Sequence, residues 1–221
     1  MIAYDQIQVV DCPHSPYFKP KRILYEENGV AKSWDMVRVH DSVSILLHHV
    51  QKQSLLLVKQ FRPAVFVNAC LYAGQSVDGY TYELCAGLVD KANKSLEQIA
   101  CEEVFEECGY AIEPQMLQKI GVFYAATGIS GSKQTMFFAS IGEKHYKHRG
   151  GGIDTEEIEL VYLPLEEYKA FMANEQICKS VGLGYALLWF GQYFKDEHLR
   201  GFWVGVLIFW GVLHAQTWVN P

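Results

Sequence analysis

Along the N-terminal part of the chain, short runs rich in β-branched, aromatic and aliphatic residues alternate with polar breaks: Gln6 to Val10, Arg22 to Glu26, Ala31 to Val39, Val43 to His48 and Ser54 to Phe61. Period-two alternation over runs of this length predicts strands. Asn28-Gly29 between the second and third runs is a hairpin signal, because both central positions of the favoured turn need positive φ. Gln51-Lys52-Gln53 joins the fourth and fifth runs. Residues Ala64 to Gly79 show no sustained period and read as a loop; Tyr80 to Ala86 then reads as a strand ending at Gly87. Lys119 to Ala126, Gln134 to Ile141 and Ile158 to Leu163 predict three further strands, followed by two helical stretches, the second covering Leu183 to Phe194. Strands interspersed with helices in this order predict an α+β sandwich.

One helix is marked at both ends. Ser95-Leu96-Glu97-Gln98 is a capping box, in which the Ser95 side chain accepts from the Gln98 amide and the Gln98 side chain from the Ser95 amide. Leu96, Ile99, Ala100, Val104 and Cys108 recur at three- and four-residue steps as a buried stripe, and Gly109 is the expected left-handed terminator. The other face carries Glu97, Glu102, Glu103, Glu106 and Glu107, with no Lys or Arg between Ser95 and Gly109. Glu102/Glu106 and Glu103/Glu107 are like-charge pairs costing roughly 0.2–0.5 kcal/mol each, and the last two glutamates sit at the negative end of the helix dipole. Something cationic should offset this. Glu103, Glu106 and Glu107 lie within a turn of one another, so their oxygens can converge on a hard divalent cation such as Mg²⁺; an ordinary solvated acidic face is the plainer alternative.

Composition removes several classes of function. Half of the 221 residues are apolar and a fifth are charged, enough to bury a sizeable core. With 19 Lys+Arg against 25 Asp+Glu, a formal charge of −6, the chain has no basic surplus for a polynucleotide, so no nucleic-acid partner is expected. Cys12, Cys70, Cys85, Cys101, Cys108 and Cys178 form no C-x-x-C pair, and the first residues lack the pattern of a signal peptide; reduced thiols in a cytoplasmic protein are expected. His145 and His148 share a helical spacing, but no Cys or third His completes a zinc pattern. The basic run 144–152, ending in three glycines, reads as a solvated, mobile loop, and neither a P-loop nor a dinucleotide-binding fingerprint is present.

Gly87 to Tyr110 as a whole (GLVDKANKSLEQIACEEVFEECGY) resembles the box that defines the Nudix hydrolase superfamily, G-x5-E-x7-R-E-U-x-E-E-x-G-U with U bulky and aliphatic. The match is strongest over Glu103 to Gly109, and Tyr110 fills the last U position. Lys59 to Ala64 and Tyr82 to Gly87 are similar to the nucleotide-sugar and ADP-ribose subgroup, and Lys32 to Asp35, Asp41 to Val43 and Gly131 to Thr135 to its branch acting on uridine diphosphate sugars. The resemblance runs from about Ser15 to about Phe194.

It implies an α/β/α sandwich with a mixed sheet plus a small N-terminal antiparallel sheet. It implies catalytic residues Glu103, Glu106, Glu107 and Glu156, with Glu103, Glu107, Glu156 and the Ala86 carbonyl as metal ligands, and Asp154 and Glu157 as alternates to Glu156. Mg²⁺ is the implied cofactor, with Mn²⁺ as substitute. The implied reaction is hydrolysis of a nucleoside diphosphate sugar, UDP-glucose to UMP and glucose 1-phosphate, with ADP-ribose hydrolysis or a binding module without turnover as alternatives. Arg62, Glu83 and Trp34 are candidate substrate-binding residues. Arg62 reads equally as a phosphate clamp and as half of a surface ion pair, Glu83 as a metal or substrate ligand and as a plain strand residue, and Trp34, like Tyr17, as a stacking platform and as core. Two departures stand out: Glu102 occupies the usual Arg position, and neither Asn93 nor Lys94 supplies the first box glutamate. An anion in place of that Arg would lower the rate, shift metal affinity, or leave orientation of the neighbouring Glu to another basic group.

The expected organisation is residues 1–40 as N-terminal strands that dimerise two copies, 41–195 as the hydrolase domain and 196–221 as an apolar tail. Gly201 to Leu213 is apolar throughout, and its thirteen residues fall short of a bilayer-spanning helix. Packing against the body, membrane contact through Trp203, Trp210 and Trp218, and an appended segment without catalytic role all remain open for it.

Overall fold

The computed structural model describes residues 2–15, 18–153 and 156–192, so Tyr17, Asp154 and the apolar tail lie outside the described residues. A hairpin of β1 (Lys19–Glu27) and β2 (Val30–Arg38) comes first, turned by Asn28 and Gly29 at φ 55° and 76°, as the Asn-Gly pair predicts. It forms a two-stranded sheet of its own. Gln6 to Val10 forms no strand; Tyr4–Gln6 is a single 3₁₀ turn, and Val9 and Val10 lie exposed and pair with no described strand.

The main sheet is built around β3 (Ser42–His49) and β4 (Ser54–Phe61). These two pair only at their joined ends, where Leu47, His48 and His49 face Leu56, Leu55 and Ser54, and then splay apart. The wedge is filled by the run predicted as a single strand from Tyr80. It divides at Leu84 into β5 (Tyr80–Glu83), which pairs with β4, and β6 (Cys85–Leu88), which pairs with β3. On the far edge β3 lies parallel to β8 (Ser132–Ile141), which pairs antiparallel with β7 (Gln118–Ala125); β9 (Glu159–Pro164) lies antiparallel to β4. The sheet is therefore mixed, with seven strands.

Between β4 and β5 the expected loop begins instead with α1 (Pro63–Phe66), continued by a π-helical turn at Val67–Tyr72. Pro63 presets the first turn, and the Phe66 ring has Tyr4 and Phe61 beside it at 5.1 and 6.1 Å between centroids. This aromatic packing of Phe66, absent from any one-dimensional period, anchors the start of the helical segment.

Alternation along the central strands creates two cores. Val43, Ile45, Leu47, Leu56, Val58, Phe137 and Ala139 pack with Ile99, Ala100, Val104 and Cys108 of α2 (Leu96–Cys108). Their neighbours Leu46, Leu55, Leu57, Met136 and Phe138 pack with Leu183, Ala186, Leu187 and Phe190 of α4 (181–192), which follows a short α3 (Tyr168–Ala173). Helix, mixed sheet and helix make the three layers that the sequence predicts, with the small antiparallel sheet apart. α2 begins with both arms of the capping box in place, at 3.2 Å and 2.8 Å, and ends at Gly109 with φ 77°. Ser95→Ala is expected to cost about 1 kcal/mol and Ile99→Ala about 2–5 kcal/mol, read as lower urea midpoints at unchanged slope.

Candidate active site

Where β6 leaves the wedge it passes under α2. Gly87 lies so close to the helix that an added Cβ would stand 2.0 Å from the Glu103 carboxyl carbon, so a side chain there would push that carboxylate from its place. One residue earlier, the Ala86 N–H donates to Glu107 Oε2 at 3.0 Å. A side-chain-free strand end and a donated amide thus fix two carboxylates one helical turn apart.

Both carboxylates are strained electrostatically. Burial, joined by the charges of Glu106 and Glu156, pushes Glu103 up to about 7 against the partial relief of Lys91. Burial also pushes Glu107, 7% exposed, up to about 7; the Ala86 amide and the Cys85 thiol oppose this, and the charges of Glu103 and Glu156 add to it. Glu156 belongs to the same field from the far side: its Oε2 accepts from the Ile153 amide at 3.1 Å, and its side chain packs on Gly152.

Two segments outside α2 answer it, one with lysines on its acidic face and one with backbone amides on its terminal carbonyls. Lys91 Nζ reaches Glu102 Oε2 at 2.9 Å, and Lys94 contacts the other oxygen of the same carboxylate. Glu102 therefore collects two lysines from the loop before the helix, and Lys91 lies within the field of Glu103 and Glu106. The second segment is the basic run 144–152, which is tied to the end of α2 rather than free. The Lys147 and His148 amides donate to the Gly109 carbonyl at 2.9 and 3.3 Å, and the Gly151 amide to the Glu107 carbonyl at 2.8 Å. Terminal helix carbonyls need such donors, and this need overrides the loop's polar, glycine-rich composition. Neither pair of partners shows in sequence, because the lysines and the loop meet the helix only through the fold.

Of the candidate substrate residues, Arg62 and Glu83 meet each other. Two parallel bonds, Nε to Oε1 and Nη2 to Oε2, each span 2.8 Å, and Thr81 donates to the same carboxylate. Arg62 still lies in the field of Glu107 and Glu156 and so borders the carboxylates. Trp34 is half-exposed on β2, not core, and its Nε1 donates to the Gly128 carbonyl at 2.8 Å.

No family model matches the chain. Two uridine diphosphate glucose pyrophosphatases named NUDT14, of Mus musculus and Bos taurus, are each 38% identical to it over 211 residues, spanning 86% of this chain and 95% of the relative. A GDP-mannose pyrophosphatase of Citrobacter koseri is 30% identical over 168 residues, spanning 73% of this chain and 82% of the relative. The chain belongs to the Nudix hydrolases. A solved structure titled ADP compounds hydrolase shares the fold at a TM-score of 0.63, covering 84% of this chain and 91% of that one at 18% identity.

Nudix hydrolases generally use divalent metals, and the donor set here fits one. Glu103, Glu107 and Glu156 supply hard carboxylate oxygens, and burial, together with the charges of Glu106 and Glu156 on Glu103 and of Glu103 and Glu156 on Glu107, raises the proton affinity of Glu103 and Glu107, a cost that a cation would offset. Among the described residues no three His, Cys, Asp or Glu side chains are gathered closely enough to hold an ion, so these carboxylates share a field without yet sharing a cage. Glu102, in place of the usual box arginine, is thus paired with Lys91 and Lys94, and Lys94 is itself one of the two residues standing where the first box glutamate would be expected.

The raised carboxylates set a sign for pH. Both have folded values near 7 against about 4.5 unfolded, so the folded state holds the extra protons between these limits and loses relative stability as pH rises through them. In a chelator, Glu107→Gln should therefore be more stable than the parent by roughly 2 kcal/mol at pH 8, with the gain gone at pH 4.5. Urea unfolding at both pH values measures this; an equal difference at the two would contradict it.

Proposed function

We propose that this chain hydrolyses the pyrophosphate bond of a nucleoside diphosphate sugar, converting UDP-glucose to UMP and glucose 1-phosphate with Mg²⁺, for which Mn²⁺ substitutes. The observation that carries the reading is the convergence of Glu103, Glu107 and Glu156 in one field at the Gly87 end of β6. The names of the 38% identical relatives, uridine diphosphate glucose pyrophosphatases, support the uridine substrate.

In this reading Glu103, Glu107, Glu156 and the Ala86 carbonyl hold the metal, and Glu106 supports them from the same face. The bound cation supplies charge neutralisation of the phosphate oxygens and acidification of the attacking water. The residues of the chain do the rest. The Ala86 amide and Cys85 thiol keep Glu107 oriented. Glu156, on the opposite loop, accepts the proton of the water as its oxygen bonds to phosphorus and the P–O bond to the bridging oxygen breaks, leaving two monophosphates. Arg62, fixed by Glu83, sets a guanidinium at the border of the carboxylates, where it counters phosphate charge without losing its partner.

The functional unit in this reading is a homodimer. β1 is exposed along its whole length, and Ile23, Leu24, Tyr25, Val30 and Trp34 present apolar surface on a two-stranded sheet. Such a hairpin is marginal alone and needs covering. Its described tie to the body runs through the loop after β7, where the Val37 amide meets the Ile129 carbonyl at 2.7 Å. Six free cysteines support a reducing, cytoplasmic setting.

Turnover of UDP-glucose and ADP-ribose should be measured side by side with Mg²⁺, with products resolved by chromatography. UMP with glucose 1-phosphate is expected, and Glu103→Gln and Glu107→Gln should each lower kcat by about 10²-fold or more. Preferential AMP release would move the substrate to ADP-ribose, and binding without turnover would leave a binding module. By light scattering the parent should be dimeric and Leu24→Asp shifted toward monomer; a monomeric parent would remove the dimer from the account.

A further inference from the structure

Beside the carboxylates, a groove of about 630 Å³ runs between β4, β9 and the loop before β9, with Lys59, Tyr80, Arg149, Gly152, Glu156 and Glu159 in its walls. That volume lies in the range of small-ligand sites. Because Glu156 lines it, whatever occupies the groove abuts the reacting bond.

The charges in its walls are unequally committed. Lys59 pairs with Glu159 at 3.2 Å across the β4–β9 ladder and lies 5.3 Å from the centre of the Tyr80 ring. Arg149 is exposed, and among the described residues no carboxylate pairs with it. It is nevertheless carried by a built segment. Besides the bonds from 147, 148 and 151 to the end of α2, the Gly150 amide donates to His148 Nδ1 at 3.1 Å, and the His148 ring packs edge-on against Phe105 with 4.6 Å between centroids. An added Cβ at Gly150 would come 2.3 Å from the Glu107 carbonyl, so the wall beside Arg149 stays bare by necessity.

The lining also sorts the two halves of the substrate. The groove holds a single ring, Tyr80, with Ile158 and Leu160 among charged and polar groups, which suits the hydroxyls and one apolar face of a hexose. The neighbouring recess of about 270 Å³, lined by Ile2, Gln60, Phe61, Tyr80, Glu156 and Glu157, also reaches the carboxylates but has no cation in its walls; Tyr4 and Phe66 back it, so it is the more aromatic of the two.

We propose that the groove between Lys59 and Arg149 binds the hexosyl phosphate half of a nucleoside diphosphate sugar, with the Arg149 guanidinium pairing to its phosphate. The assignment rests on the pyrophosphatase reading above and names the part of the substrate that this wall receives. The guanidinium presents a planar fork to two non-bridging oxygens, while Lys59 and Glu159 offer a donor and an acceptor to the ring hydroxyls.

Calorimetric titration of the full chain in Mg²⁺ with glucose 1-phosphate and, separately, UMP tests this in the parent, Arg149→Ala and Arg149→Lys. Arg149→Ala is expected to weaken glucose 1-phosphate at least about tenfold and UMP less than about twofold, with Arg149→Lys between, because a point charge replaces the fork. In the same variants KM for UDP-glucose should rise by a larger factor than kcat falls. Unchanged glucose 1-phosphate affinity in Arg149→Ala, no binding of it by the parent, or an equal loss for UMP would overturn the proposal, the last by seating the nucleoside half in the groove. Turnover in the parent keeps the two readings apart. Hydrolysis with no Arg149 effect sinks the groove alone; an Arg149 effect without hydrolysis sinks the pyrophosphatase alone.

Discussion

The close approach of β6 to α2 governs the rest of the molecule. Gly87 leaves no room for a side chain, the Glu103 carboxylate occupies that room, and the preceding amide bonds to Glu107. Like charges on successive turns would separate into water if they could. Here the stripe of Ile99, Ala100, Val104 and Cys108 clamps the helix to the sheet and holds them in place. Folding energy from an apolar face thereby holds two carboxylates in a buried, mutually repelling position, a cost that a divalent cation can offset.

The remaining architecture makes that approach feasible. β3 and β4 separate after three residue pairs, and the chain that fills the gap changes partner at Leu84, which delivers Cys85, Ala86 and Gly87 beneath the helix. Around this junction the cations are placed near Glu103 and Glu107 without capping them: Lys91 and Lys94 on Glu102, Arg62 on Glu83. An arrangement of this kind limits the repulsion yet leaves Glu103 and Glu107 without a direct ion pair among the described residues. With Glu102 in place of the usual arginine, the basic groups beside this stretch of the helix are the lysines of the preceding loop.

Much of this was legible in the residues. The capping box and Gly109 bound α2 in the structure where their chemistry puts them, and Ser54 to Phe61 is a strand over its whole predicted length, because both depend on local rules. The acidic face of α2 signalled its chemistry through an imbalance that helix physics could not explain. What depends on distant partners was not legible. Residues 67–72 continue a helical turn that Pro63 starts, the basic loop is tied down because helix carbonyls need donors, and Gln6 to Val10 pairs with no described strand despite its alternation. Arg62 and Glu83 each carried two readings, and only the fold shows that they are partners. Arg149 stood inside a run whose composition resembles any solvated loop.

If repulsion between buried carboxylates is what the cation relieves, its binding must displace protons. Calorimetric titration of the apo protein with Mg²⁺ in two buffers of different ionisation enthalpy counts them directly. With Glu103 and Glu107 titrating near 7, binding at pH 7 should release about one proton per chain, falling toward none by pH 9. Mg²⁺ binding at pH 7 with no proton release would contradict the account at its centre.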